Sequence, residues 1–163
     1  THKNGILHIS TVEHNIEESI QVKAYDYTAK ILNKLNYVGT LAVEFFVVGD
    51  DVFFNEFAPR PHNSGHYTMD GCNVSQFTNH ILAITGERVI EPKMESNCLM
   101  INVLGQNMSH YNNTINVIGA FNHDYHKNSE RKNRKIGHIN YLYKSEVEKI
   151  KFIDEVTKEN QHE

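Results

Sequence analysis

Hydrophobic residues in the first quarter of the chain follow two spacings, and each predicts a different element. Residues 5–12 alternate well enough between apolar and polar to predict a strand. Apolar residues then recur every three or four positions over 16–37, which predicts an amphipathic helix. Asn15 and Glu18 have the spacing of a capping pair at the start of this helix, and Gly39 is expected to end it.

Two stretches rich in β-branched and aromatic residues follow, at 40–48 and 52–58, and Gly-Asp-Asp separates them. This arrangement predicts a β-hairpin. Pro59 and Pro61 come directly after it and exclude regular structure there, so the hairpin is expected to lead into a loop.

The rest of the chain is expected to hold a second helix, three strands and a terminal helix. Asn73 and Gln76 have capping spacing ahead of the second helix, which Gly86 would stop. The later elements are predicted near 98–104, 117–126 and 136–144 for the strands, and at 146–158 for a helix opened by the capping pair Ser145 and Glu148.

These elements predict an α+β fold in two parts. The polar stretch 87–97 marks the boundary between them. Residues 1–90 are expected to form an antiparallel sheet that carries the hairpin and has flanking helices. Residues 91–163 are expected to form a small β-rich domain with the terminal helix.

Composition narrows the class of protein. A hydrophobic content of 39% and a charged content of 22% are typical of a folded globular protein, and the apolar runs are too short to cross a bilayer. Cys72 and Cys98 are too few for a disulfide framework or a structural zinc site, which favours reduced thiols in the cytoplasm. The chain lacks an initiator Met and starts close to a candidate strand, so we expect a fragment of a longer polypeptide.

Two acids interrupt the predicted hairpin. If Gly-Asp-Asp is a three-residue loop, Val48 pairs with Val52 and Glu44 lies directly opposite Glu56. Like charges in that position repel, and a divalent cation held by both carboxylates would remove the conflict. The alternative is that both acids face solvent on an edge hairpin, although their aromatic and aliphatic neighbours argue against it.

The loop after Glu56 is rich in groups that bind anions or carry protons. Arg60 offers a planar fork for phosphate or carboxylate. Asn63 and Ser64 can donate to an oxyanion, and the two prolines stiffen the loop. His62 and His66 are candidate donors or acid–base groups, with a purely structural role equally open for each.

A basic run lies further along, between two predicted strands. It contains five cations, at Lys127, Arg131, Lys132, Arg134 and Lys135. Such a run is usually a solvated loop, but beside a phosphate site it could form a second anion clamp. Nucleic-acid binding is disfavoured because the net charge is −4 and no stacking platform of aromatic residues is present in the sequence.

Beyond these physical arguments, the segment "LAVEFFVVGDDVFFNEFAPRPHNSGH", with "YTMDGCNVSQFTNHILAITG" after it, closely resembles ATP-grasp enzymes of the N5-carboxyaminoimidazole ribonucleotide synthetase family. "HKNGIL" and "RKIGHIN" fit the same family, and the resemblance covers about residues 2–144. It implies the C-terminal half of an ATP-grasp domain and a small C-terminal domain. It also implies an N-terminal part that carries a lysine, a glycine-rich lid and the adenine pocket and is missing here.

The family's reaction is the ATP-dependent carboxylation of 5-aminoimidazole ribonucleotide with bicarbonate through carboxyphosphate, in purine biosynthesis. By motif match, Glu44 and Glu56 would hold Mg²⁺ (or Mn²⁺) on the ATP phosphates, with Asn55 at the same site. The other matched positions would contact carboxyphosphate, the ribonucleotide or the nucleotide, and they are Arg60, His62, Asn63, Ser64, Lys127, Arg134 and, near the nucleotide, His2. Arg131 and Lys135 are less certain matches.

Two alternatives stay open. One is another ATP-grasp ligase, such as the formate-dependent glycinamide ribonucleotide transformylase, which typically has "HDTG" where this chain has "HNSG". The other is a phosphate- or metabolite-binding module without catalysis. The expected partners are small molecules and the N-terminal part of the same enzyme, with a homodimer left open, and the chain alone is expected not to turn over ATP.

Overall fold

A computed structural model describes residues 1–3, 5–12, 16–129 and 131–158. Asn15, the predicted cap of the first helix, lies outside these residues. In chain order the elements are β1 (His2–Lys3), β2 (Ile6–Leu7), β3 (Ile9–Val12), α1 (Glu18–Leu35), β4 (Ala42–Val48), β5 (Asp51–Ala58), α2 (Thr68–Gly71), α3 (Gln76–Ile84), β6 (Asn97–Leu104), α4 (Ser109–Thr114), β7 (Ala120–Asp124), β8 (Lys135–Tyr143) and α5 (Glu146–Thr157). The α+β class is confirmed.

The chain divides into two compact units. One, the hairpin unit, comprises Glu13–Met69 and Asn73–Lys93. The other, the C-terminal unit, comprises Thr1–Val12, Asp70–Cys72 and the chain from Met94 onward. The domain boundary at residue 90 stays a prediction. No helix in the described part of the chain is long and apolar enough to span a membrane.

In the hairpin unit, the predicted hairpin and both helices are present, but two helix ends differ from expectation. Helix α1 ends at Leu35 because Asn36 adopts the left-handed conformation, with φ 47°, so the turn comes before Gly39. Helix α3 is capped by Ser75, whose side chain accepts a hydrogen bond from the Thr78 amide, and not by Asn73. Asn73 instead accepts a bond from the Lys93 amide.

The C-terminal unit is built on one antiparallel sheet with the strand order β3-β6-β8-β7. Its apolar face packs against α4 and α5, and the ring of Tyr141 stacks on that of Phe152 at 3.8 Å. Helix α5 starts as predicted, with the Ser145 side chain accepting a bond from the Glu148 amide.

A glycine sets the spacing between β7 and β8. The Tyr111 hydroxyl donates a hydrogen bond to the carbonyl of His123 across this part of the sheet. A Cβ atom at Gly137 would lie 1.6 Å from that hydroxyl and 2.2 Å from that carbonyl oxygen. Only glycine therefore leaves room for the tyrosine to reach its partner.

Candidate metal and phosphate site

The two hairpin acids do face each other, but not by the predicted pairing. The turn has two residues, Gly49 and Asp50, and Val48 pairs with Asp51, so the expected three-residue loop is wrong. Gly49 has φ 57°, as the first central position of a two-residue hairpin turn often requires. A register shift between Glu44 and Phe45 then restores the pairing of Glu44 with Glu56.

The aromatic residues near Glu44 and Glu56 do not shield the two carboxylates from solvent. Phe46 is 59% exposed and Phe53 52% exposed, so the expectation that apolar neighbours keep the acids from solvent is wrong. The Glu44 side chain keeps 32% of its surface accessible and that of Glu56 keeps 61%. Both carboxylates are therefore within reach of a solvated ion.

His62 joins the two acids from the loop that follows the hairpin. Its Nδ1 atom lies 3.7 Å from one Glu44 oxygen, and its Nε2 atom lies 3.9 Å from one Glu56 oxygen. One ligand atom from each of the three residues lies within 4.8 Å of the other two. Asn55, also expected here, donates from Nδ2 to Glu44 at 3.4 Å.

This donor set fits a divalent cation. Two carboxylates suit Mg²⁺ or Mn²⁺, and an imidazole is a better ligand for Mn²⁺ than for Mg²⁺. The opposed negative charges would be neutralised by such an ion. His62 was expected to face carboxyphosphate and the ribonucleotide, and its approach to both acids was not predicted.

The loop after the hairpin is ordered by its own polar groups. His62 Nδ1 accepts a bond from the Ser64 amide and lies 2.9 Å from the Ser64 hydroxyl. Asn63 begins a short 3₁₀ turn, and its buried Oδ1 atom has no donor among the described residues. Arg60 donates to the carbonyl of Pro61 and keeps an exposed side chain. The loop thus holds His62 beside the two acids, with Ser64 bonded to its ring.

Gln76 is a residue of this site that sequence reasoning treated only as half of a helix cap. Its amide oxygen accepts a hydrogen bond from the backbone N–H of His62 at 2.8 Å, and its nitrogen donates to the backbone oxygen of His62 at 2.7 Å. No periodicity indicates such a contact, because it joins a loop to a helix 14 positions later.

Lys127, Arg134 and His2, three other predicted site residues, belong to the C-terminal unit. Lys127 and Arg134 are exposed on the connection between β7 and β8. Arg134 donates to the Ser129 hydroxyl at 2.6 Å, which holds the connection together. His2 is exposed and pairs with Leu7 between β1 and β2.

A partly buried polar cluster lies against the strands on either side of that connection. Asp70 accepts hydrogen bonds from His123 at 2.7 Å and from Asn140 at 2.6 Å. Burial alone would raise the pKa of the Asp70 carboxyl, but the bonds from His123 and Asn140 hold that pKa below its usual value. His123 in turn stacks on His138 with ring centres 4.4 Å apart.

Comparisons with known proteins identify two domains along the chain. Residues 1–77 match the ATP-grasp domain, and residues 98–151 match the phosphoribosylaminoimidazole carboxylase C-terminal domain. The N5-carboxyaminoimidazole ribonucleotide synthase of Bacillus subtilis is 40% identical over 158 residues, which cover 96% of this chain and 41% of that protein.

Solved structures show the same likeness. The N5-carboxyaminoimidazole ribonucleotide synthetase of Thermus thermophilus superposes with a TM-score of 0.89 at 35% identity, covering all of this chain and 46% of that one. The synthase of Aspergillus clavatus, in complex with ADP and 5-aminoimidazole ribonucleotide, gives a TM-score of 0.88 at 26% identity, covering 96% of this chain and 44% of that one.

The class of protein follows from the first domain match, in which residues 1–77, including the hairpin with its opposed acids, match the ATP-grasp domain. The second match and the relatives narrow the class. Nearly the whole chain matches a C-terminal part of proteins named N5-carboxyaminoimidazole ribonucleotide synthase. It spans about two fifths of the length of the curated relatives that it matches.

Proposed function

We propose that this chain supplies the metal and acyl-phosphate side of an ATP-dependent ligase that carboxylates 5-aminoimidazole ribonucleotide. The observation that carries the proposal is the cluster of Glu44, Glu56 and His62 at the start of an ordered polar loop. In the overall reaction, bicarbonate attacks the γ-phosphorus of ATP and ADP leaves. The amine of the ribonucleotide then attacks the carboxyl carbon of carboxyphosphate, and inorganic phosphate leaves.

Glu44 and Glu56 would hold Mg²⁺ or Mn²⁺, which neutralises charge on the ATP phosphates during phosphoryl transfer. Asn55 restrains Glu44 through its hydrogen bond and so sets the carboxylate for that role. His62 lies close enough to both acids to orient them or to add a ligand. These roles are sufficient because phosphoryl transfer requires a protein mainly to position the reacting groups and neutralise their charge, and not to form covalent bonds with them.

The loop would hold the acyl phosphate and the attacking amine. Arg60 offers its exposed guanidinium to phosphate or carboxylate oxygens. Asn63 Oδ1 is an acceptor without a donor among the described residues, and an amine N–H would satisfy it. Ser64 has a hydroxyl that can donate to a developing oxyanion.

Lys127 and Arg134 are proposed to bind phosphate groups of the substrates, and His2 to lie near the nucleotide, on the match to the family's motifs. A cytoplasmic location, a homodimer and the division of the chain at residue 90 are further parts of the proposal. The N-terminal part of the enzyme would supply the remaining nucleotide contacts, so the chain by itself is expected to release no ADP from ATP.

The test uses the complete polypeptide in which this chain forms the C-terminal part. ADP formation is measured with and without bicarbonate and 5-aminoimidazole ribonucleotide, and the carboxylated product is measured directly. Glu44→Gln and Glu56→Gln are each expected to lower turnover by about 100-fold or more, since a charge-stabilising contact is lost. Glu87→Gln, a surface substitution in the same unit, should leave turnover unchanged.

Three results would contradict the proposal. Turnover that depends on formate and glycinamide ribonucleotide, with none on 5-aminoimidazole ribonucleotide, would assign the chain to a different ATP-grasp ligase. Binding of nucleotide without any turnover in the complete polypeptide would favour a module that has lost catalysis. Full activity in Glu44→Gln would remove the metal assignment.

A further inference from the structure

Gln76, the first residue of α3, binds the candidate loop through its side-chain amide. The oxygen accepts from the His62 N–H, and the nitrogen donates both to the His62 carbonyl at 2.7 Å and to the ring of His66 at 2.9 Å. One side chain thus completes both backbone hydrogen bonds of His62, as a neighbouring strand would, and also reaches the far end of the loop.

These partners fix the orientation of the amide. A backbone N–H can only donate and a backbone carbonyl can only accept, so the Gln76 oxygen must face the first and the nitrogen must face the second. The amide nitrogen carries only donors, and its second hydrogen points to His66 Nδ1. Nδ1 must therefore be the acceptor, which places the proton of a neutral His66 ring on Nε2.

The backbone around Gln76 is equally constrained. Its N–H donates to the Thr68 hydroxyl at 2.8 Å, and its carbonyl accepts from the Thr40 hydroxyl at 3.0 Å. A Cβ atom at Gly65 would lie 2.5 Å from the Gln76 oxygen, so the glycine leaves the space that the amide occupies. The ring of His66 also stacks on Phe77 with centres 5.6 Å apart. The amide has little freedom to move away from the loop.

We propose that Gln76 is a positioning residue, which fixes the backbone at His62 and the Nε2–H tautomer of His66 so that the loop is preorganised for the acyl phosphate. This inference rests on the proposed function for its catalytic consequence. The inference that Gln76 positions the loop depends only on its hydrogen bonds to His62 and His66. Misplacement of reacting groups by about 1 Å is enough to lower a rate by about 100-fold.

The diagnostic variant is Gln76→Glu, which keeps the size and one acceptor of the side chain but removes both amide donors. In the complete enzyme we expect kcat to fall by about 10- to 100-fold, with a much smaller change in KM for ATP. We also expect more ADP released per product formed, because a loosened loop lets water intercept the acyl phosphate. Gln76→Met, which removes every hydrogen bond at similar length, is the second variant in case the glutamate variant does not fold.

The matched control is Ser75→Ala, which removes the cap of the same helix and leaves the amide of Gln76 in place. It should lower the melting temperature without changing kcat or the ratio of ADP to product. If Ser75→Ala changes kcat and that ratio as much as the Gln76 variants do, the role of Gln76 is stability alone and the proposal fails. Unchanged kcat and coupling in both Gln76 variants would overturn it as well.

A spectroscopic measurement separates this inference from the proposed function. Nitrogen NMR of the histidine rings in this chain should show His66 with an unprotonated Nδ1 in the wild type and an altered state in Gln76→Glu. If the complete wild-type enzyme lacked ribonucleotide-dependent turnover, the proposed function would fail, while the ring signals would still decide whether Gln76 sets the loop. A proton on His66 Nδ1 in the wild type would show that Nδ1 does not accept the Gln76 hydrogen bond, and the proposed role of Gln76 would fail.

Discussion

Removing one of the two opposed hairpin carboxylates is expected to stabilise the metal-free chain. The nearest candidate ligand atoms of Glu44 and Glu56 lie at most 4.8 Å apart. Since Glu56 keeps 61% of its side-chain surface exposed, a water-like dielectric applies, and two unit charges at that distance repel by about 0.9 kcal/mol. Glu44→Gln and Glu56→Gln should therefore each raise the free energy of unfolding by about 1 kcal/mol.

A double-mutant cycle separates this repulsion from other effects of the substitutions. Once one charge is gone the pair no longer repels, so the double variant should be about as stable as either single variant rather than about 2 kcal/mol more stable than wild type. Urea unfolding at low salt and pH 8, where histidine side chains are ordinarily neutral, gives these free energies. Glu87→Gln reports the effect of losing a surface charge elsewhere in the hairpin unit.

Divalent metal should reverse the order of stability. A cation that binds only the folded chain stabilises it by about 1.4 kcal/mol at ten times its Kd, and the wild type should gain this while the variants gain less. If both single variants were less stable than wild type without metal, the two carboxylates would not repel as described. An equal gain with Mg²⁺ or Mn²⁺ in wild type and variants would refute the metal site itself.

Three further perturbations test the C-terminal unit. Gly137→Ala should cost about 3 kcal/mol in urea unfolding, because its Cβ atom collides with β7 and with the tyrosine hydroxyl; a loss below about 0.5 kcal/mol would contradict the packing. Ser145→Ala should cost about 1 kcal/mol by loss of the α5 cap, and an unchanged unfolding midpoint would contradict it. The pKa of His110 is lowered from 6.5 to about 4, mainly by burial and further by the charges of His8 and Lys3. The unfolded chain therefore binds this proton at a higher pH than the folded chain does, so the stability should fall as the pH drops from about 6.5 to about 4. His110→Gln should flatten that part of the pH profile, and an equal slope in both proteins would contradict the assignment.

The sequence predicted the longer elements, but it did not predict the short helices α2 and α4, the division of 5–12 into β2 and β3, or where each helix begins or ends. Hydrophobic spacing predicted α1, α3 and the strands of the main sheet, because burial of one face is a property of many residues together. Helix α5 was predicted from its capping pair, Ser145 and Glu148. A helix end depends on one residue, and neighbouring candidates compete for it. Asn36 ends α1 before Gly39 can, and Ser75 caps α3 in place of Asn73.

The residues that surround the candidate site were harder to predict because their contacts are long-range and polar. Gln76 reaches His62 across 14 positions, and Asp70 meets His123 and Asn140 across 53 and 70. Neither pairing follows a helical or strand period. The charged and metal-binding candidates were easier to recognise, since an acid among aromatic residues or a basic run is unusual in any local pattern.

The pairing of Glu44 with Glu56 was predicted correctly although the length of the hairpin turn was predicted wrongly. With a two-residue turn alone, Glu44 would pair with Asn55, and Glu56 would lie on the opposite face of the hairpin, because a slip of one residue reverses every side chain. The bulge beside Glu44 adds one residue to β5 and brings Glu56 back to the face of Glu44. The displaced Asn55 donates its hydrogen bond to Glu44. The bulge therefore sets two like charges side by side, which costs the hairpin stability, and a cation bound between them would offset that cost.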